Sequence, residues 1–319
     1  MNRDVSSDRV RQARMTVVIP VYNRAERVMS TLRSLEAQTL RPLDIVLVDN
    51  NSNDDTAVTL SRWQSQVVTD DFRVKIVCEK TPGAAAARNR GLDEVITPLT
   101  MFFDSDDLMT PGHCKRVVEA FESHPEADII GWDCMTVFPD GSKRKVIFAD
   151  RDLLWNDVFQ GAMATQRYVA RTVIFREAGG WNAGCMGWND IELGLRILLR
   201  KPRVVKLGGD ITVNIIHTAD SITGASFSAK SVVWEHTLDV MEESADRAGD
   251  IRLKRYLNFR RAILAGDYRR EGATDRSHRL MAEVMKKEKK PCYRMLYRLA
   301  VRYRGASLPG ISKLLRPLF

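Results

Sequence analysis

The 319-residue chain has no apolar run approaching the roughly 20 residues that a membrane-spanning helix needs, and residues 1–14 are polar rather than leader-like. These absences set the expectation of a cytoplasmic protein, at most peripheral on the inner face of a membrane. Cysteine is sparse. Cys78, Cys114, Cys134, Cys185 and Cys292 stand far apart, with no paired framework and no metal-ligand spacing, which argues for reduced thiols and against a disulfide scaffold. Aromatic residues make up 8 % of the chain and do not alternate with basic ones in a stacking pattern, and no nucleic-acid module is recognisable. Nucleic acid is therefore not expected as a partner. Internal repeats and low-complexity segments are absent too.

What is present is an ordinary globular composition with a lopsided charge. Hydrophobic residues are 44 % of the chain, enough for a sizeable core, and roughly 200–250 residues suffice for one α/β domain. The net charge of +8 comes wholly from the last part. Residues 251–319 hold 19 Lys and Arg against 5 Asp and Glu, a net +14, leaving 30 against 36, a net −6, in residues 1–250. Leu296, Leu299, Val301, Ile311, Leu314 and Leu315 sit among those cations, the pattern of basic amphipathic helices. Such helices either lie on an anionic membrane surface or pack on protein, on this chain or in a homodimer. The partition expected is a polar extension over 1–14, a catalytic domain over 15–230 and a helical, basic region over 231–319.

Within 15–230 strands alternate with helices. Thr16 to Val21, Asp44 to Val48, Val74 to Cys78 and Leu99 to Phe103 are β-branched or apolar runs, separated by helical spacing over Glu26 to Gln38, Thr56 to Gln66 and the Ala-rich Gly83 to Glu94. Alternation of this kind predicts right-handed crossovers and a mostly parallel sheet covered on both faces. Ligands of such sheets bind beyond the carboxyl ends of the strands, where Tyr22, Asp49 and Asp104 to Asp107 all fall.

The run Phe102-Phe103-Asp104-Ser105-Asp106-Asp107 sets three carboxylates after a buried strand. Read as extended chain, Asp104 and Asp106 project to one side and Asp107 to the other. Two carboxylates on one side suit a hard cation, Mg²⁺ or Mn²⁺, held together with the phosphate oxygens of a nucleotide substrate; the competing reading is a solvated acidic turn. Asn51, Ser52 and Asn53 read as an Asx-rich turn, with Asp54 or Asp55 capping the helix from Thr56. Further on, Gly187-Trp188-Asn189-Asp190-Ile191-Glu192 opens a helix. Asn189 and Glu192 have capping-box spacing, which leaves Asp190 in the first turn without a local partner. Residues two apart on a helix point nearly opposite ways, so Asp190 and Glu192 cannot both face one substrate. Trp181 and Trp188 suit either a stacking platform for a ring of an acceptor substrate or a core.

The ordered set IPVYNR, VDNNSNDDT, PGAAAARNRGL, FFDSDD, GGWN and GWNDIELGLRI resembles the family 2 glycosyltransferases of GT-A fold, over roughly residues 15–223. The resemblance implies a Rossmann-like α/β nucleotide-diphospho-sugar transferase fold carrying a C-terminal helical basic appendage. It also implies inverting transfer of a sugar, from a UDP-sugar in particular, to an acceptor hydroxyl on a saccharide or lipid-linked acceptor. Bacterial surface polysaccharide or lipopolysaccharide synthesis is the setting, with Mg²⁺ or Mn²⁺ as cofactor. By position it makes Pro20, Tyr22, Asp49, Arg88, Asp104 and Ser221 contacts to the nucleotide-sugar, Asp104, Asp106 and His217 metal ligands, and Asp190 the general base. One departure stands out: Asn50 occupies a place where the family often has a second acid. A nucleotidyltransferase making nucleotide sugars would share the layered fold, but it needs a Gly-rich basic phosphate loop where Pro20-Val21-Tyr22-Asn23 stands. A non-catalytic membrane- or partner-binding relative would be expected to have lost part of the acidic set.

Overall fold

The computed structural model describes residues 12–149, 151–217 and 226–319, which divide into two compact units. The units do not follow chain order. The first takes in residues up to Phe148, Thr165–Gly180 and Arg203–Ile216, and the second takes in Ala149–Ala164, Trp181–Pro202 and everything from His217 onward. Residues 149–164 and 181–202, assigned from the sequence to the 15–230 block, thus pack with the C-terminal helices.

The first unit is built on β1 (Met15–Val21), β2 (Leu43–Asp49), β3 (Phe72–Cys78) and β4 (Leu99–Phe102), which pair in parallel in the order β4-β1-β2-β3. All but Pro20 of β1 is buried, as both faces of a crossover-covered parallel strand require. Helices α1 (Val28–Glu36), α2 (Thr56–Val67), α3 (Ala84–Asp93) and α4 (His113–Ser123) supply the covering. Helix α1, for example, buries Val28, Thr31, Leu32 and Leu35 at helical spacing. Beyond β4 the sheet continues through β9 (Tyr168–Arg171), antiparallel to both neighbours, then β6 (Ile129–Trp132) and β10 (Val204–Leu207). A second sheet joins β5 (Leu108–Met109), β11 (Val213–Ile216), β7 (Cys134–Val137) and β8 (Lys143–Val146). Register Val21↔Asp49↔Cys78 aligns the carboxyl ends of β1 to β3, so the loops after them open at one edge.

Pro20 is tolerated in this inner strand for a local reason. The ladder with β4 ends at Val18↔Phe102, and the carbonyl of Val18 accepts from the N–H of Phe103 at 3.0 Å. Backbone groups two residues on point the same way, past the end of the β4 ladder, where a missing N–H costs no bond.

The second unit is helical. It contains α5 (Leu153–Gln160), α7 (Asn189–Leu199), α8 (Ser231–Arg247), α9 (Ile251–Arg270), α10 (Thr274–Lys287), α11 (Pro291–Gly305) and α12 (Ile311–Leu315); the short α6 (Thr172–Glu177) belongs to the first unit. Helix α9 is the axis, started by Asp250, whose carboxylate accepts from the N–H of Leu253 at 2.9 Å. Trp155 packs on Tyr256, Phe259 and Phe319 in its core. Four of the tail residues that suggested amphipathic helices, Leu296, Val301, Ile311 and Leu315, are buried in this core, whereas Leu299 and Leu314 are exposed. Among the described residues no helix is long and apolar enough to cross a membrane.

Gly91 of α3 faces the sheet so closely that an added Cβ would stand 2.3 Å from Val18 Cγ1 and 3.0 Å from Val48 Cγ2. Gly91→Ala gains about 1 kcal/mol of helix propensity but forces overpacking worth about 1–3 kcal/mol against two buried strands. The variant is expected to melt several degrees below the parent in thermal unfolding, and an unchanged or raised midpoint contradicts this packing.

Candidate functional site

The first two loops are laced together by side chains. Asn23 is in the left-handed region (φ 50°); its N–H donates to Ser52 Oγ at 3.0 Å and its Oδ1 accepts from the N–H of Asn53 at 3.0 Å. Asn tolerates that conformation at little cost. Asp54 Oδ1 accepts from the N–H of Thr56 at 3.0 Å, so of the two expected capping acids it is Asp54 that bonds the start of α2. Asp49, almost fully buried, accepts from the N–H of Ser52 at 3.2 Å and thereby closes the Asx turn at the end of β2. Tyr22 stands 54 % exposed at the end of β1.

Asn50, which looked from the sequence like a missing acid, does work only an amide can do. Its Nδ2 donates to the carbonyls of Glu79 (2.9 Å) and Thr81 (2.8 Å), while its Oδ1 accepts from the N–H of Gly83 at 2.8 Å. A carboxylate has no N–H for those two carbonyls. Asn50 thus holds the loop after β3 that feeds α3, and the signal available in advance was the amide's paired donor and acceptor.

Helix α3 buries Ala85, Ala86 and Ala87, and small side chains bring the helix close enough for Arg88 to lie along it. Arg88 is buried rather than a surface cation, and its Nη2 donates to Asp104 Oδ1 at 2.7 Å. The acidic run itself is not extended: β4 ends at Phe102, and Ser105 and Asp106 form a turn. Strand alternation therefore does not decide where these acids point. Asp107 is buried, its Oδ1 accepting from the N–H of Ile216 at 2.8 Å with a further bond to the Gln166 side chain, so it ties the turn to β11. Burial and the charges of Asp104 and Asp106 push its pKa well up. Asp106 is different. Its ion pair with Arg24 is long, at 4.0 Å, and burial together with the charge of Asp104 raises its pKa despite Arg24 and Arg27.

In the second unit Trp188 takes a left-handed conformation (φ 52°) at the start of α7. No capping box forms there. Glu192, buried, is held in a fork by Arg196 at 2.6 and 2.7 Å, one helical turn on, because a buried carboxylate needs a full counter-charge. Asp190 is left half-buried in the first turn, its Oδ1 accepting from the N–H of Ile191 at 2.9 Å. Trp181 is buried, and Trp188 packs on Trp234 and Phe227 with the Arg260 guanidinium over its ring at 4.4 Å. His217 is the residue after β11, and Ser221 lies outside the described residues. Among the described residues no three His, Cys, Asp or Glu side chains are grouped to hold a metal ion.

Because its folded pKa lies above the usual 3.8, the contribution of Asp106 to stability is present below that value and lost as pH rises through the raised one. With divalent cations chelated, Asp106→Asn is therefore expected to melt above the parent at about pH 7.5, with the gain shrinking as pH falls towards about 4. Thermal unfolding at stepped pH checks this, and a variant less stable than the parent at neutral pH contradicts it.

Residues 16–160 match the family model described as Glycosyl transferase family 2. The amylovoran biosynthesis glycosyltransferase AmsB of Erwinia amylovora is 29 % identical over 136 residues, 41 % of this chain and 44 % of AmsB. The chain spans less than half the length of the first curated relatives it matches. The fold is similar to that of S. aureus TarS 1-349 in complex with UDP-GlcNAc, 14 % identical with a TM-score of 0.60 over 96 % of this chain and 92 % of that one. It is also similar to the mannosyltransferase PcManGT of Pyrobaculum calidifontis in complex with GDP-Man and Mn²⁺, 16 % identical with a TM-score of 0.56 over 95 % and 87 %. The strand order, the acidic turn after β4 and these matches agree: residues 16–160 match a family 2 glycosyltransferase domain, and the fold is of GT-A-type α/β architecture.

Proposed function

We propose that the chain is an inverting glycosyltransferase that moves a sugar from a UDP-sugar to an acceptor hydroxyl in the synthesis of a bacterial surface polysaccharide. The observation that carries the reading is the turn after β4, where Asp104 is neutralised by buried Arg88 while Asp106 is kept ionisable but poorly compensated. The UDP-GlcNAc bound by TarS and the polysaccharide role of AmsB support the choice of donor and setting. Tyr22 and Asp49, at the ends of β1 and β2, are assigned to the base, with Pro20 beside them and Arg88 and Asp104 on the nucleotide side.

The residues present fit a hard divalent cation. Asp106 is a partly desolvated carboxylate without a close cation, so a metal there would relieve the cost of ionising it, and donor phosphates and water complete such shells in the absence of a three-residue protein cluster. Mg²⁺ or Mn²⁺ held by Asp106 with Asp104, with His217 as the further ligand proposed, would supply charge neutralisation for the departing diphosphate. In the displacement the acceptor oxygen forms a bond to the anomeric carbon, the bond to the diphosphate oxygen breaks, and Asp190 takes the hydroxyl proton. Glu192 is unsuited to that task because Arg196 already occupies it.

Attachment to an anionic bilayer is proposed for the exposed part of the tail. Met295, Leu299, Leu314 and Leu318 are 65 %, 45 %, 61 % and 55 % exposed, and Arg298, Arg302 and Lys313 are exposed among them. Each such cation is worth on the order of 1 kcal/mol beside an anionic leaflet.

Asp190→Asn is expected to keep donor affinity while transfer falls by roughly 10²–10⁴, and Asp49→Ala to weaken donor binding first. Calorimetry with UDP-sugars in Mn²⁺, alongside a donor-hydrolysis screen, checks both. Near-normal turnover of Asp190→Asn would reduce Asp190 to a helix-end charge. For the tail, the full chain is expected to cosediment with anionic but not neutral vesicles and to be released by salt, and Met295→Ser with Leu299→Ser to lose that binding. Equal sedimentation of parent and variant would reject attachment through this face.

A further inference from the structure

The second unit has an open-mouthed pocket of about 160 Å³ whose wall includes Trp188, Arg260, Leu264, Asp267, Arg304 and Ser312. Its charge is unbalanced in a specific way. The one carboxylate, Asp267, is almost fully buried and already engaged by Arg304 at 2.7 Å and Arg270 at 2.9 Å. Arg260 has no hydrogen bond and no ion pair among the described residues; its guanidinium lies over the Trp188 ring at 4.4 Å, with the charges of Asp267 and Arg304 farther off. A guanidinium carries five N–H donors in a planar fork, and those of Arg260, a half-buried side chain, meet no acceptor among the described residues and are left to water or to a bound anion. Desolvation, with the like charge of Arg304 adding to it, brings the Arg260 pKa down to about 10. The remaining walls are apolar and aromatic, the surroundings that suit a sugar ring next to a charged substituent. Trp188 also lies two residues before Asp190, the group assigned to take the acceptor proton.

We propose that this pocket is an anion subsite of the acceptor, in which the fork of Arg260 receives a phosphate or carboxylate group while Trp188 and Leu264 cover the adjoining ring. The assignment rests on the transferase reading above for its link to the acceptor, but anion binding itself does not. A planar fork accepts either anion in two parallel hydrogen bonds, whereas an ammonium meets it as a point charge. Arg260→Lys is thus expected to bind several-fold more weakly and Arg260→Gln about tenfold or more weakly.

The test uses the full chain. Inorganic phosphate and glucuronate are titrated separately by calorimetry into the parent, Arg260→Gln, Arg260→Lys and Ser312→Trp, the last filling the pocket from its rim while leaving Arg260 in place. Binding of one probe by the parent, weakened in the order Lys then Gln and blocked in Ser312→Trp, supports the subsite, and the probe that binds distinguishes phosphate from carboxylate. Hydrolysis of the UDP-sugar donor, measured in parallel, is expected to stay within about twofold in Arg260→Gln. Should the parent lack donor hydrolysis while the probe still binds through Arg260, the transferase reading falls and the anion site stands. Failure of both probes to bind the parent, or equal binding by parent and Arg260→Gln, overturns the proposal.

Discussion

Like-charge crowding on the turn after β4 is the constraint around which the first unit is arranged. Three carboxylates in four residues repel one another, and the fold gives each a different environment. Asp104 takes the buried guanidinium of α3, and Asp107 is turned inward onto the backbone of β11. Both solutions need distant chain: Arg88 has to be carried in by an alanine-rich helix packed tightly on the sheet, and Ile216 by the last strand of the second sheet. Asp107 is nonetheless held well above the ordinary carboxylate range by burial, and Asp106 is what remains at the surface of the turn, half-buried with Arg24 4.0 Å away. If Asp106 serves the donor as proposed, stability and donor chemistry pull on this residue in opposite directions, as is common where a site is built from incompletely compensated charge.

Charge is distributed differently in the helical unit. Counted from residue 251, the tail seems an unbroken basic block, but α8 carries Glu235, Asp239, Glu242 and Asp246, and these meet Arg276, Arg261, Lys287 and Lys254. Taken over residues 231–319, 20 basic residues face 11 acidic ones. Much of the apparent excess is internal pairing between helices, including Arg261, which is almost wholly buried between Asp239 and Glu242. Such pairs fix which helices lie together more than they add stability.

The parallel half of the sheet was legible because β1 to β4 are strongly β-branched or apolar and separated by helical spacing, and the acids at their carboxyl ends follow from that topology. The strands from β6 to β11 were not legible. They are four residues or shorter, too few for a period to show, and β9 pairs antiparallel on both sides through contacts far apart in sequence. Within the site, Asp49 and Asp104 could be placed by position alone, whereas the amide role of Asn50 depends on carbonyls some 30 residues away. Glu192 was read as a capping residue from spacing, and the competing partner four residues on won because the side chain is buried. The compositional cut before the tail missed that α5 and α7 share its core.

That shared core bears on how the chain matures on the ribosome. Trp155, Val158, Ile191 and Leu195 belong to an apolar cluster whose other members are mostly on α8, α9 and α11. When residue 202 has been made, those side chains have only one another and near neighbours such as Phe159, and α9, which supplies most of their core, is complete only at Arg270. At roughly 5–20 residues per second the interval is on the order of several seconds, during which an aromatic and aliphatic surface stands open. A chain stopped near residue 230 would never close it, so the segment that holds Asp190 reaches its native packing only after the C-terminal helices have been synthesised.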